Sequence, residues 1–281
     1  MARDPRYDVL FEPVKIGPVT APNRFYQVPH ATGMGYLKPQ SSACLRGIKA
    51  EGGWGVVCTE YCSIHPSSDD EPWPTASLWD DEDVRSHALM VEKVHRHGAL
   101  AGVELWHGGS MTSNNYSREE SLGPWSRPAL SPNPVQSRSM SKRDIREFRR
   151  WHREAALRAK RAGFDIVYVY LAHDYLLAQF QSSANQRSDE YGGSLENRLR
   201  LSRELLQDTK EAVGDTCAVA VRYSAAGGFT DGEPLFEEHR AMLELLAEIP
   251  DLWDIVVDDY SYERVPRASS RRRRSRTTCP G

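Results

Sequence analysis

Three side chains that carry exchangeable protons, Tyr170, His173 and Tyr175, fall within six positions of one another. They follow a continuous apolar run, Phe164 to Tyr170, bounded by Gly163 and the polar pair His173-Asp174. Such a run fits a strand buried on both faces, as in a parallel sheet, better than a half-exposed one. Titratable groups at the carboxyl end of a parallel strand stand where α/β enzymes place their chemistry. The alternative, two packing tyrosines and a hydrogen-bonded loop histidine, is not separated from this by spacing alone. A glycine turn, Tyr191-Gly192-Gly193, leads into Ser194 as an N-cap, and Leu195, Leu199, Leu205, Leu206 and Val213 then recur at helical spacing until Gly214.

The chain that must position these groups has 281 residues, enough for one large α/β barrel or two small domains. Its 40% hydrophobic and 27% charged residues are ordinary for a globular protein. A net charge of −3 gives no reason to expect a nucleic-acid partner for the main body. No apolar run approaches a membrane span and MARDPRYDVL lacks the apolar core of a signal peptide, so the expected compartment is the cytoplasm with no membrane partner. Cysteines at 44, 58, 62, 217 and 279 are odd in number and irregular in spacing, which argues against a disulfide framework. Cys58 and Cys62 sit in the apolar run WGVVCTEYC, where strand alternation would turn both to one side. Buried thiols are expected there rather than a metal site, since no second ligand pair follows.

In chain order, residues 8–20 suggest a short hairpin around Gly17-Pro18, and Asn23 to Pro29 a first strand. A helix over Ser41 to Glu51, a strand over Trp54 to Cys62, a helix over Asp81 to His97 and a strand over Leu100 to Trp106 follow. The connection from His107 to Met140 is long and carries four prolines, as lids and functional loops do. Ser141 and Asp144 form a capping-box signature for a helix to Ala162. Beyond the opening stretch, Cys217 to Ser224 is a strand, Leu235 to Ile249 a helix and Trp253 to Tyr260 a sixth strand. Six strands alternating with five helices predict a parallel sheet of the (β/α)8 TIM-barrel type, running out of chain after the sixth strand. An open doubly wound sheet is the alternative, but no GxGxxG follows any predicted strand.

The segments NRFYQVPH, YLLAQF and NQRSDEYGGSLENR occur in this order within a stretch, about Asp4 to Tyr262, that resembles the flavin-dependent Old Yellow Enzyme family throughout. The resemblance is greatest to its amine-dehydrogenase branch. It implies an FMN-binding barrel over residues 1–263, with the early hairpin covering its bottom. It implies that Tyr170 and His173 face the substrate above the flavin and that Tyr175 is the proton-donor tyrosine. Pro29, His30 and Ala31 would lie along the flavin, and Glu104 would contact its pyrimidine edge. Arg222 would supply positive charge to the reduced ring, the kind of electrostatic control a protein exerts on a cofactor. The family resemblance gives glutamine at the position of Glu104 in many relatives and glutamate in the amine-dehydrogenase branch; a carboxylate there accepts hydrogen bonds but donates only when protonated. Tyr61 matches one wall of an aromatic bowl for a methylated ammonium, and His107 lies at the mouth of the third strand, within reach of substrate. The branch carries a flavin-linking cysteine where this chain has Ala31, so non-covalent FMN is expected.

From Arg264 the composition changes abruptly, with six arginines between Arg267 and Arg276 and no large apolar side chain. Such a segment cannot bury enough surface to order itself, and residues 264–281 are expected to be a disordered tail outside the family pattern. Strands seven and eight, which in TIM barrels commonly build the phosphate site, would then be missing, and activity with them. The reading reached is part of an FMN-dependent oxidoreductase that demethylates a small N-methylated amine or amino acid. An unidentified electron acceptor is implied, no iron–sulfur cluster is expected in this chain, and the oligomeric state is left open. The rivals are an NAD(P)H-dependent ene- or dienoyl-reductase, a non-catalytic fragment, and a basic-tailed interaction protein.

Overall fold

Along the strand Ile166–Leu171 the side chains alternate between two cores. Ile166 and Tyr168 face one apolar cluster, Val167, Val169 and Leu171 another, and Tyr170 rises into a third. A strand with both faces buried must be apolar throughout, as this one is. The computed structural model describes residues 4–69, 75–128, 135–225 and 234–256. The predicted ends of the sixth strand, the expected missing strands and the arginine-rich segment lie outside these residues.

The strands are β1 (Val14–Ile16), β2 (Val19–Ala21), β3 (Tyr26–Gln27), β4 (Val56–Ser63), β5 (Ala76–Ser77), β6 (Leu100–Trp106), β7 (Leu122–Gly123), β8 (Arg138–Ser139), β9 (Ile166–Leu171), β10 (Ala218–Ser224) and β11 (Leu252–Val256). The helices are α1 (Pro39–Glu51), α2 (Asp81–His95), α3 (Lys142–Ala162), α4 (Leu176–Gln181), α5 (Leu195–Val213) and α6 (Pro234–Leu246). The main sheet runs β3-β4-β6-β9-β10-β11 in chain order with every pair parallel, and β5 adds to β4. A helix follows each of the first five of these six strands, as in a (β/α)8 barrel. The sheet curls on itself: Tyr168 of β9 donates to the Tyr26 hydroxyl of β3 at 2.7 Å across the interior. Between sheet and helices lies the large outer core; inside the curl lie Val56, Cys58, Ile166, Tyr168, Ala218 and Ala220, closed from below by Ile16 and Ala21 of the β1-β2 hairpin.

The predicted capping box on α3 is present: Ser141 Oγ accepts from Asp144 N at 3.2 Å and Asp144 Oδ2 from Ser141 N at 2.7 Å. The hairpin begins later than its sequence suggests, because Pro5–Phe11 is a 3-10 turn capped by Asp4. Cys58 and Cys62 are both fully buried but face opposite cores, not one side. A β-bulge is the reason: Cys58 pairs with Gly102 and Tyr61 with Glu104, so two residues of β4 oppose the single Val103. Among the described residues no helix is long and apolar enough to cross a membrane.

The lower rim is pinned by aspartates that precede strands. Asp165 Oδ2 accepts Ala101 N and His95 Nε2, each at 2.7 Å, and Asp251 Oδ2 accepts Val219 N at 2.8 Å while Oδ1 pairs with Lys210. Asp251→Ala should destabilise the chain by about 1–3 kcal/mol in urea unfolding, because it strands a strand N–H and a lysine together. Asp165 raises the His95 pKa above its ordinary value of 6.5. The stability from that pair is therefore complete below about 6.5, the unfolded value, and is lost as pH rises through the raised folded value. His95→Gln should flatten the slope of melting temperature against pH in that window.

Candidate active site

The β4 bulge decides what stands at the upper, C-terminal end of the sheet. It turns Tyr61 inward and sends Glu60 toward the loop after β3. Tyr61 meets Trp106 of β6 with ring centroids 4.7 Å apart, and Trp106 meets Tyr175 edge-on at 5.1 Å. Tyr175 lies 5.3 Å from Tyr170 and 6.2 Å from His173. Four of the sequence-predicted residues, Tyr61, Tyr170, Tyr175 and His173, thus meet at one aromatic chamber, walled by the three tyrosines and Trp106, with His173 beside it. Trp106 went unnoticed in the sequence; its signal was its place next to Glu104 and Leu105 at the end of an apolar strand. Gly108 makes room for it, since a Cβ there would stand 2.7 Å from the indole ring.

Tyr170 and His173 are hydrogen-bonded, Oη to Nδ1, at 2.6 Å. Burial raises the Tyr170 pKa well above its ordinary value, so the phenol keeps its proton and donates it to Nδ1. His173 and Asp174 hold φ of 58° and 54°, two successive non-glycine residues in the left-handed region. Each costs about 1–3 kcal/mol, a strain that persists only where surrounding contacts impose it. Those contacts are on hand: His173 N donates to Ser224 Oγ of β10 at 3.0 Å, and Arg127 pairs with Asp174 at 3.1 Å. Gln179, fully buried in the YLLAQF segment, accepts Ser110 N at 3.1 Å and donates to the Gly108 carbonyl at 3.3 Å, which fastens the β6 loop to α4.

A second group forms on the inner face of β6, β10 and β11. Arg222 Nη1 donates to the Pro29 carbonyl at 2.7 Å and lies 3.5 Å from Glu104 Oε1 and 3.7 Å from Asp254 Oδ2. Glu104 is only 2% exposed, and its burial, reinforced by Asp254 and opposed by Arg222, pushes its pKa up to about 8. Burial also raises Asp254, against the pull of Arg222. Asp254 was not singled out in the sequence, where it reads as part of the apolar run WDIVV.

The loop after β3 carries Pro29, His30 and Ala31. Pro29 is buried and gives its carbonyl to Arg222, while Ala31 is exposed. The His30 ring turns to α1, 3.0 Å from Arg46 and 3.2 Å from Lys49, and its pKa falls through burial and these two cations. The next residues are gripped by Glu60, which accepts Thr32 N at 2.6 Å, Gly33 N at 2.9 Å and Gly35 N at 2.7 Å. His107 is placed apart from the chamber. Its Nδ1 accepts Gly109 N at 3.1 Å, its Nε2 bonds Ser67 Oγ at 3.0 Å, and its ring meets Phe148 of α3 at 5.4 Å. Burial drives its pKa down to about 3, so the ring is neutral.

Arg222 Nε, Trp106 Nε1 and Asp254 Oδ2 are buried and have no hydrogen-bond partner among the described residues. All three sit on the inner face of their strands, near the C-terminal ends. A flat ligand with an apolar body and one polar edge matches that set, and an isoalloxazine ring has this form, so the residues present fit FMN. The NQRSDEYGGSLENR segment does other work. Arg187 donates to the carbonyls of Pro124 and Met140 at 2.8 and 2.7 Å, and Asn185 to those of Phe180 and Tyr191, both at 2.7 Å. Arg187→Ala should therefore loosen the β6–α3 connection at a cost of about 1.5–3 kcal/mol, read as faster limited proteolysis between residues 108 and 140.

The profile of the NADH:flavin oxidoreductase / NADH oxidase family matches residues 9–278. Dimethylamine dehydrogenase of Hyphomicrobium sp. is 44% identical over 267 residues, covering 92% of this chain and 36% of that protein. The amine oxidase of Pseudomonas geniculata that acts on 6-hydroxypseudooxynicotine is 51% identical and superposes with a TM-score of 0.87, covering 92% of this chain and 39% of its own. Histamine dehydrogenase of a Rhizobium species is 46% identical with a TM-score of 0.86, covering 91% and 38%. The chain thus spans well under half the length of these three relatives. With a matching profile over nearly its whole length and a curled parallel sheet like that of these relatives, the chain belongs to the NADH:flavin oxidoreductase / NADH oxidase family of FMN-dependent oxidoreductases.

Proposed function

We propose that this chain supplies the FMN and substrate site of an oxidoreductase that removes a methyl group from a small N-methylated amine or amino acid. The aromatic chamber carries the reading. Ring faces attract an alkylammonium through their quadrupoles, at about 0.5–2 kcal/mol per ring when water is excluded. An enone gains no such attraction, and the named relatives act on amines. Pro29 to Ala31, Glu104 and Arg222 would hold FMN, without a covalent link because Ala31 has no nucleophile. When bound, FMN supplies the acceptor for the electron pair that leaves with the amine's C–H hydrogen.

The remaining chemistry belongs to this chain's side chains. An ammonium must lose its N–H proton before the nitrogen lone pair can assist C–H cleavage. Tyr170 Oη takes that proton as its own passes to His173 Nδ1, across the 2.6 Å hydrogen bond. The phenol is unchanged in net charge, and the positive charge moves from substrate to imidazole. Tyr175, Tyr61 and Trp106 hold the methyl groups and exclude water until the iminium product leaves the chamber. Its hydrolysis then gives formaldehyde and the shortened amine.

The test is turnover of dimethylglycine and N-methylproline with an artificial electron acceptor and FMN, with formaldehyde as the product measured. Reduction of an enone by NADH in place of amine oxidation, or a chain that stays colourless with FMN, would defeat the reading. Tyr170→Phe removes the relay and should lower the rate by about 10²-fold or more. It should also move the pH optimum upward, toward conditions in which the amine arrives already deprotonated. Tyr61→Ala should weaken amine binding, seen in KM, with a smaller effect on kcat.

A further inference from the structure

We propose that Glu104, Arg222 and Asp254 form one buried unit that holds a proton, and that Asp254 keeps this proton on Glu104. Glu104 then meets the cofactor as a carboxylic acid, with a donor and an acceptor, as glutamine would. The inference rests on Glu104 facing the cofactor edge.

The geometry sets two carboxyl groups against one guanidinium, at 3.5 and 3.7 Å from the same Nη1, whose shortest contact, 2.7 Å, goes to the neutral Pro29 carbonyl. With both acids ionised the unit carries a net negative charge in an interior that solvates it poorly; with one proton it is neutral. Among the described residues that act on Glu104, Arg222 is the only cation. The titratable groups that act on Glu104 are Cys58 of β4 on the same face, Cys62 of the same strand on the opposite face, Tyr170 of β9, Arg222 of β10 and Asp254 of β11, with Tyr168 and Tyr26 close to Asp254. The thiols and phenols are buried and held neutral, which leaves Arg222 and the two acids.

The proton's place follows from exposure. The Glu104 side chain is 2% exposed; that of Asp254 is 12% exposed and borders a groove of about 380 Å³ between β3 and β11, lined also by Tyr26, Val28, Tyr168 and Ile255. Solvent reaches part of the aspartate side chain, though not its buried Oδ2, and an aspartic acid is intrinsically the stronger acid. Asp254 therefore ionises first, pairs with Arg222, and by its charge opposes ionisation of Glu104. A protonated carboxyl offers O–H and C=O side by side, the same pattern as an amide N–H and C=O. Asp254 is thus a positioning residue acting through Glu104.

The experiment is infrared titration of the whole chain, without cofactor, following the C=O stretch of protonated carboxyl groups. The wild-type chain should keep one such band at neutral pH and lose it with an alkaline midpoint. Glu104→Gln should abolish the band. Asp254→Asn should lower its midpoint by about one unit, a tenfold loss of proton affinity. A merely structural aspartate would leave that midpoint in place. Absence of the band in the wild-type chain at neutral pH, its survival in Glu104→Gln, or an unmoved midpoint in Asp254→Asn would overturn the proposal. The wild-type arm needs no variant to fold, and it stands whether or not amines are turned over.

Discussion

A guanidinium inside a barrel has to be answered by the strands around it, and Arg222 makes that demand here. It projects from an otherwise apolar strand into the curl of the sheet, with 14% of its side chain exposed. Stripping an arginine of water is costly unless hydrogen bonds and opposite charge replace what is lost. The Pro29 carbonyl, Glu104 and Asp254 do so, and each comes from a different part of the sheet. The residue pairing Arg222 with Asp254 in register, and Tyr170 with Arg222, puts these groups on one level. The same interaction therefore brings the loop after β3 over the sheet and fixes the curl that makes a site.

Beside this charged floor the aromatic chamber depends on a defect in strand pairing. Without the extra residue in β4, Tyr61 would face the helices and Glu60 the interior. With it, Tyr61 walls the chamber and the residue before it, Glu60, becomes a carboxylate that gathers three backbone N–H groups of the β3 loop. Strain at His173 and Asp174 is maintained in the same spirit. Neighbouring Tyr170 holds the imidazole, while Ser224 and Arg127, remote in sequence, hold the His173 backbone and the Asp174 side chain. The site is rigid because its loops are tied to one another, and Arg187, Asn185 and Gln179 are the ties.

Much of this was legible beforehand. Buried strands in a parallel sheet must be apolar along their whole length, and β6, β9 and β10 are; helices need caps, and Ser141, Ser194 and Gly163 provide them. The α3 capping box, the five crossover helices and the cluster of Tyr170, His173 and Tyr175 at a strand's end follow from local rules of this kind. The hairpin starts later than alternation predicts because Pro5–Phe11 winds into a 3-10 turn under Asp4. Cys58 and Cys62 were put on one face because alternation assumes an unbroken ladder.

What the chain's own order determined, then, is the list of elements and the residue types at their ends, since periodicity and capping act over a few positions. Tertiary structure decided which ends meet. It turned His107 to α3 and His30 to α1, brought Trp106 to Tyr61 and Tyr175, and set Asp254 beside Arg222. Such facts arise from strand register and bulges, where one inserted residue reverses every side chain beyond it. No local pattern records that choice, because it is made by the neighbouring strand.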